Sequence, residues 1–193
     1  LKALADIIIK SGGEVVVIDS PGGPYTKQEL KGIYSACGLT RYAFESGFEL
    51  NYDLSVMEIE NLGGKLLKRL TVLKPLVEAD VVINVPKLKT HGQMVYTGAV
   101  KNMFGAIPGE LKAEYHFKMQ NYDEFANCLI DIFLSVKPTL NIMDAIIGME
   151  GDGPSAGEPR NIGVIIGSQD GFSLDRVAIN IINGKVNDIP IMR

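Results

Sequence analysis

Between Asp80 and Val85 the chain reads Asp-Val-Val-Ile-Asn-Val, and Pro86 follows. Successive side chains of a strand point to opposite faces, so β-branched residues at consecutive positions place apolar surface on both. Such a strand is stable only in a sheet covered above and below. Glu14–Asp19 and Ile162–Gly167 repeat the pattern. The segments between them carry helical spacing instead. Leu1–Ser11 has Leu1, Leu4, Ala5, Ile8 and Ile9 on one face, and Tyr122–Val136 has Phe125, Leu129, Ile132, Phe133 and Val136. Thr26-Lys-Gln-Glu29 fits a capping box, opening a helix that stops at Gly38. Short helices are expected over Leu39–Gly47, Lys74–Ala79, Thr97–Phe104 and Ser173–Ile182. Strands are expected within Phe48–Asn61, Lys65–Leu73 and Thr139–Ile147. This alternation predicts an α/β fold, a three-layer sandwich around a largely parallel central sheet, with residues 1–193 forming a single domain.

The composition excludes several classes. Net charge is −4 and Trp is absent, which argues against nucleic-acid binding. No apolar run approaches the ~20 residues that cross a bilayer, and the start lacks a signal-peptide layout, so a cytoplasmic protein is expected. Cys37 and Cys128 are isolated, as for reduced thiols, and an iron–sulfur cluster held by this chain alone is not expected, because such clusters take about four close thiolates. The chain opens on Leu1 already in helical pattern, without an initiator Met, and a fragment of a longer protein is expected.

In sheets of this kind ligands bind beyond the carboxyl ends of the strands. Three loops qualify: Ser20–Pro24, Pro86–Thr97 and Gly148–Asn161. The second opens a basic island in an acidic protein, with five lysines against two glutamates between Val81 and Lys118 and both histidines of the chain. Lys89 and Lys101 suit a phosphate or carboxylate, each as a mobile point charge with three donors. Amides of the helix expected from Thr97 would add a partial positive charge. His91 fits a general base or a metal ligand, or equally a loop tie through backbone hydrogen bonds. His116 lies between Tyr115 and Phe117, so it is a candidate metal ligand or a packing residue. A metal held by the two histidines needs a carboxylate, for which Asp144 and Asp152 are available. Asp144, expected at a strand's carboxyl end, is a candidate catalytic acid or a turn acceptor. Asn102 stands beside Lys101, and Gly151 and Gly153 could present amides to an anion or simply shape a turn. No Walker loop and no GxGxxG follows a strand.

The runs ADVVINVPKLKTH and TGAVKNMFGAIPG, then His116, then IMDAIIGMEGDGPSAGEP, resemble the bacterial and archaeal family called domain of unknown function 362. The match covers nearly the whole chain and is carried by Lys89-Thr-His91, Lys101-Asn102, Phe104-Gly105 and Gly151–Pro159. Many members of that family carry a ferredoxin-type iron–sulfur module on the same chain. The resemblance thus implies a redox, ferredoxin-linked context, with any cluster on a segment outside these residues. The layout of Ala79–Gly109 is also similar to the amino-terminal domain of lactate racemase-type enzymes, which use a nickel-pincer nucleotide. That similarity implies Lys101 as the residue bearing the cofactor, His116 at the metal and His91 moving protons. The Gly-Gly before the lysine of that family is here Gly98-Ala99-Val100.

Three functions compete on these grounds. The first is a domain that binds a small anionic ligand or cofactor at Lys89, His91, Lys101 and Asn102, with Asp144 and the Gly148–Asn161 loop as the opposite wall, in a redox enzyme. The second is a nickel-pincer-type isomerase. The third is a non-catalytic docking domain whose basic face receives an acidic ferredoxin-type partner.

Overall fold

The sheet is laid out around one long strand, β8 (Leu140–Glu150), which has neighbours on both edges. The computed structural model describes all 193 residues, Leu1–Arg193. On one edge β9 (Glu158–Ser168) runs antiparallel to β8, from Asn141 opposite Ser168 to Glu150 opposite Glu158. On the other edge a single line of chain runs parallel to β8 in two pieces, β5 (Ile83–Asn84) and β6 (Lys87–His91). The break falls at Pro86, which has no N–H to give, but its carbonyl still accepts from the Asp144 amide at 2.9 Å. β7 (Val95–Thr97) folds back antiparallel on β6. Two smaller pairs stand apart: β1 (Val16–Val17) parallel to β2 (Glu49–Leu50), and β3 (Val56–Glu60) antiparallel to β4 (Arg69–Leu73).

The α/β class is therefore as expected, with parallel strands among helices, but the central sheet is mixed: two of its four pairings are antiparallel. One antiparallel pair, β6–β7, lies where the Pro86–Thr97 loop was expected, and the other, β8–β9, extends the strands expected at Thr139–Ile147 and Ile162–Gly167 into the Gly148–Asn161 stretch. Lys87–His91 alternates, yet only Leu88 of its side chains is fully buried, because the cavity face of the strand carries lysine and histidine in place of apolar residues. The Gly148–Asn161 stretch shrinks to a seven-residue turn, 151–157, between the arms of the β8–β9 hairpin. Its glycines signalled irregular backbone, and Gly151 in the turn takes φ +76°. The register slips between Ala145 and Ile147, where Gly163 takes φ +82°.

Eight helices surround these strands. α1 (Lys2–Lys10), α2 (Lys27–Ala36), α3 (Leu39–Ser46) and α4 (Lys74–Glu78) accompany the smaller pairs. α5 (Ala99–Asn102), α6 (Gly109–Lys118), α7 (Tyr122–Val136) and α8 (Gly171–Ile181) accompany the main sheet. Thr26 caps α2 through the Glu29 amide, and α7 keeps the bounds its amphipathic pattern predicts. α5 is capped differently from the expected Thr97 start. Its N-terminal amides, Ala99 and Val100, donate at 2.6 and 3.0 Å to the carboxylate of Asp175, which α8 brings in from the far end of the chain. Tyr96 adds a third bond to the same carboxylate at 3.1 Å. A Cβ at Gly98 would sit 2.1 Å from an Asp175 oxygen, so glycine is what lets the cap close. After α5 the chain tightens into a 3-10 turn, Met103–Ala106. Pro108-Gly109 then opens α6.

One cluster of 24 buried residues joins the main sheet to α5, α7 and α8, with Met143, Val100, Leu129 and Ala178 among its solvent-free members. A second, small cluster of Tyr25, Leu30, Tyr34 and Leu73 lies under α2. Burial at about 25 cal/mol per Å² of apolar surface makes the larger cluster the main source of stability.

Candidate functional site

β6, α5 and α6 converge on one cavity of about 510 Å³. β6 delivers Lys87, Lys89 and His91, α5 delivers Lys101 and Asn102, and α6 delivers Lys112 and His116. The loop after β1 closes the near side with Asp19 and Ser20, and Pro154 of the hairpin turn closes the far side. Asp19 is the one carboxylate among these lining residues.

The charges are not neutralised internally. Lys87 pairs with Asp144 at 2.9 Å, but none of Lys89, Lys101 and Lys112 takes part in an ion pair. Lys112 is 9% exposed and donates to the Ser20 carbonyl. Lys101 rests against aromatic faces, with Nζ 5.5 Å from the Phe104 ring centre and 5.7 Å from that of Phe125. Lys112 Nζ is 5.6 Å from the same Phe104 ring. Cation–π contact of this kind offsets part of the lost hydration without supplying negative charge. Burial, then the neighbouring Lys89 and Lys112, push the Lys101 amine down to about 8. Burial also pushes Lys112 down to about 8, against a small opposing pull from Asp19.

His91 Nδ1 accepts from the Gln93 and Met94 amides at 3.1 and 3.2 Å, so the ring is held by its own turn. Burial, then the charges of Lys101, His116 and Lys89, push it down to about 4. Neutral His91 with Nδ1 accepting carries its proton on Nε2, the nitrogen left for a ligand. His116 packs on Phe125 and Phe104 with ring centres 4.5 and 5.6 Å away, and its Nδ1 meets Gln93 Oε1 at 3.2 Å. Burial and Lys101 lower its pKa as well. No group of three or more His, Cys, Asp or Glu side chains is placed to hold a metal ion.

Lys89, His91, Lys101, Asn102 and His116, all singled out in the sequence, thus share one cavity. Asn102 donates at 2.7 Å to Asn84, which in turn donates to Asn141 and to the Ala99 carbonyl, a buried network that fixes α5 against β5 and β8. Asp144 stands elsewhere. It lies within β8 rather than at a strand end, and its carboxylate is engaged by Lys87 and the Ile146 amide. Burial pushes that carboxyl up, but the Lys87 bond and the Ile146 amide outweigh it and hold it below the usual range. Gly151 and Gly153 shape the hairpin turn without lining the cavity. The Gly153 carbonyl accepts from the Gly92 amide at 3.0 Å, and a Cβ at Gly153 would meet the Thr90 carbonyl at 2.1 Å. These glycines seat the turn on the end of β6.

Lys112 and Asp19 were not singled out in the sequence, whereas Ser20 opens the Ser20–Pro24 loop that was, and Gly22 and Gly23 of that loop also line the cavity. Ser20 is 1% exposed, and its Oγ has no hydrogen-bond partner. A helical frame through Pro108-Gly109 was the available signal for Lys112, since it places Lys112 and His116 four residues apart on one face.

Fold and cavity together define an α/β domain with a lysine-rich cavity beside its sheet. The chain belongs to the family described as domain of unknown function (DUF362), which matches residues 1–180. It is similar to a thylakoid-associated protein of Synechocystis sp., 33% identical over 98% of this chain and 58% of the relative. The chain therefore spans a little over half the length of that relative. No solved structure matches it. No helix is long and apolar enough to cross a membrane.

Proposed function

We propose that this domain binds a small polyanion, a phosphorylated or polycarboxylate molecule, in the cavity between β6, α5 and α6. The observation that carries the reading is the set of three lysines without acid partners, Lys89, Lys101 and Lys112, around one cavity with a single carboxylate. Like charges gathered away from water destabilise the empty site, and a bound anion supplies the missing compensation. The volume lies within the roughly 300–1,000 Å³ range of small-molecule sites. Ser20 Oγ offers a further donor or acceptor. His91 Nε2–H would donate to an anion oxygen, and the neutral ring could accept a proton from a bound substrate only if its tautomer changed. Ferredoxin-linked chemistry and a nickel-pincer nucleotide on Lys101 rest on resemblance alone.

The test is calorimetric titration with pyrophosphate, nucleoside diphosphates and citrate. At least one is expected to bind, and Lys101→Met to weaken it by at least about tenfold, the loss of one charge-assisted contact. Equal affinity in both proteins removes Lys101 from the site. No binding of any anion removes the reading.

A further inference from the structure

β1 and β5 each have one strand neighbour: β2 for the first, β8 for the second. Their other edges border one apolar cavity of about 500 Å³, with Val15–Ile18 on one side and Val81–Val85 on the other. α1 covers it through Leu4, Ala5 and Ile8. The hydrogen bonds show which groups face it. Amides of Glu49 and Asn51 donate to the carbonyls of Val15 and Val17, so the alternate residues Val16 and Ile18 turn their peptide groups to the opposite edge. Amides of Thr139 and Asp144 donate to the carbonyls of Val82 and Pro86, so Ile83 and Val85 turn theirs away from β8. Val16 and Val81, β-branched residues of buried type, are 48% and 58% exposed. Two unpaired edges fronting one apolar slot describe a sheet interrupted by one strand position.

We propose that the polypeptide immediately upstream of Leu1 is an extended, apolar strand that fills this slot, parallel to β1, and joins the β1–β2 pair to the main sheet. α1 selects this occupant. It lies on the slot and leads directly into β1, so a strand before it reaches the vacant position by the right-handed strand–helix–strand crossover that parallel sheets use. The Synechocystis relative shows that such chains extend beyond the matched region, which covers 58% of its length. The slot shares Asp19, Asn102 and Gly105 with the basic cavity. A strand parallel to β1 ends on the side where β1 leads into Asp19 and Ser20. Its carboxyl end therefore reaches the wall of the anion site and contributes a residue to it.

Hydrogen exchange followed by mass spectrometry on the full-length protein, beside residues 1–193, tests this. Peptides covering Glu14–Asp19 and Asp80–Pro86 are expected to exchange about a hundredfold more slowly in the full chain, with the upstream segment protected alongside them in a monomer. Equal rates in the two proteins overturn the proposal. Protection that disappears on dilution to monomer also overturns it, because the occupant is then a second copy. If residues 1–193 do not stay folded, the full chain alone decides: an upstream segment that exchanges within seconds overturns the proposal. None of these results bears on pyrophosphate affinity, so the anion site stands or falls separately.

Discussion

Lys101 is the residue on which site and stability pull in opposite directions. Its ammonium rests against two aromatic rings and near two other lysines, with no acid to pair it. Lys101→Met keeps most of the side-chain volume and removes the charge. Thermal denaturation is expected to show the variant more stable than the parent by about 1 kcal/mol, the usual gain from replacing a strained polar site residue. A destabilised variant would mean that the charge is compensated within the protein. The pH dependence has a definite sign. Lys101 and Lys112 titrate near 8 in the folded chain against 10.5 as the ordinary value. Between those limits the unfolded chain binds more protons, so stability rises as pH rises from about 8 to 10.5. Stability of the ligand-free protein followed over that range should show the rise, and Lys101→Met should flatten it. Anion affinity should move the opposite way, falling above pH 8 as both amines lose their protons. His91, near 4, adds no charge to binding at neutral pH.

At the scale of elements, two buried carboxylates hold pieces of chain that could not hold themselves. α5 is a four-residue helix, too short to persist on its own propensity, and Asp175 takes its two leading amides and the Tyr96 hydroxyl. Burial pushes this carboxyl up to about 6 against the pull of those bonds. Asp175→Ala orphans all three donors, and urea unfolding should show a loss of about 2–4 kcal/mol, with Lys101 displaced and anion affinity reduced. Asp131 on α7 likewise accepts from the Lys65, Leu66 and Leu67 amides at 2.7 to 2.8 Å. Asp131→Asn should cost about 1–3 kcal/mol while leaving anion affinity unchanged, since Asp131 lies outside the cavity. Elements were legible in the sequence where one force set them. α7 shows its full length because every turn presents apolar residues to the core. β6 was hidden because one face of it is built from the site's own Lys87, Lys89 and His91. The α5 cap was hidden because its acid comes from 75 residues away.

At the scale of the whole molecule, the α/β class followed from three strands apolar on both faces, but the pairing of the sheet did not. Strands of a hairpin such as β8–β9 and of a parallel crossover share the same local pattern, and strand direction, not pattern, separates them. The site was half legible for the same reason. Lys89, His91, Lys101 and His116 lie within 28 residues and announce a basic island, whereas Ser20 meets Lys112 across 92 residues of chain. The resulting cavity gathers charge from β6, α5 and α6 that no one of those elements would hold alone. Its central claim is best tested by a crystal structure of the protein with pyrophosphate. Phosphate oxygens are expected within about 3 Å of Nζ of at least two of Lys89, Lys101 and Lys112. An empty cavity at saturating pyrophosphate, or the anion bound on another surface, would contradict it.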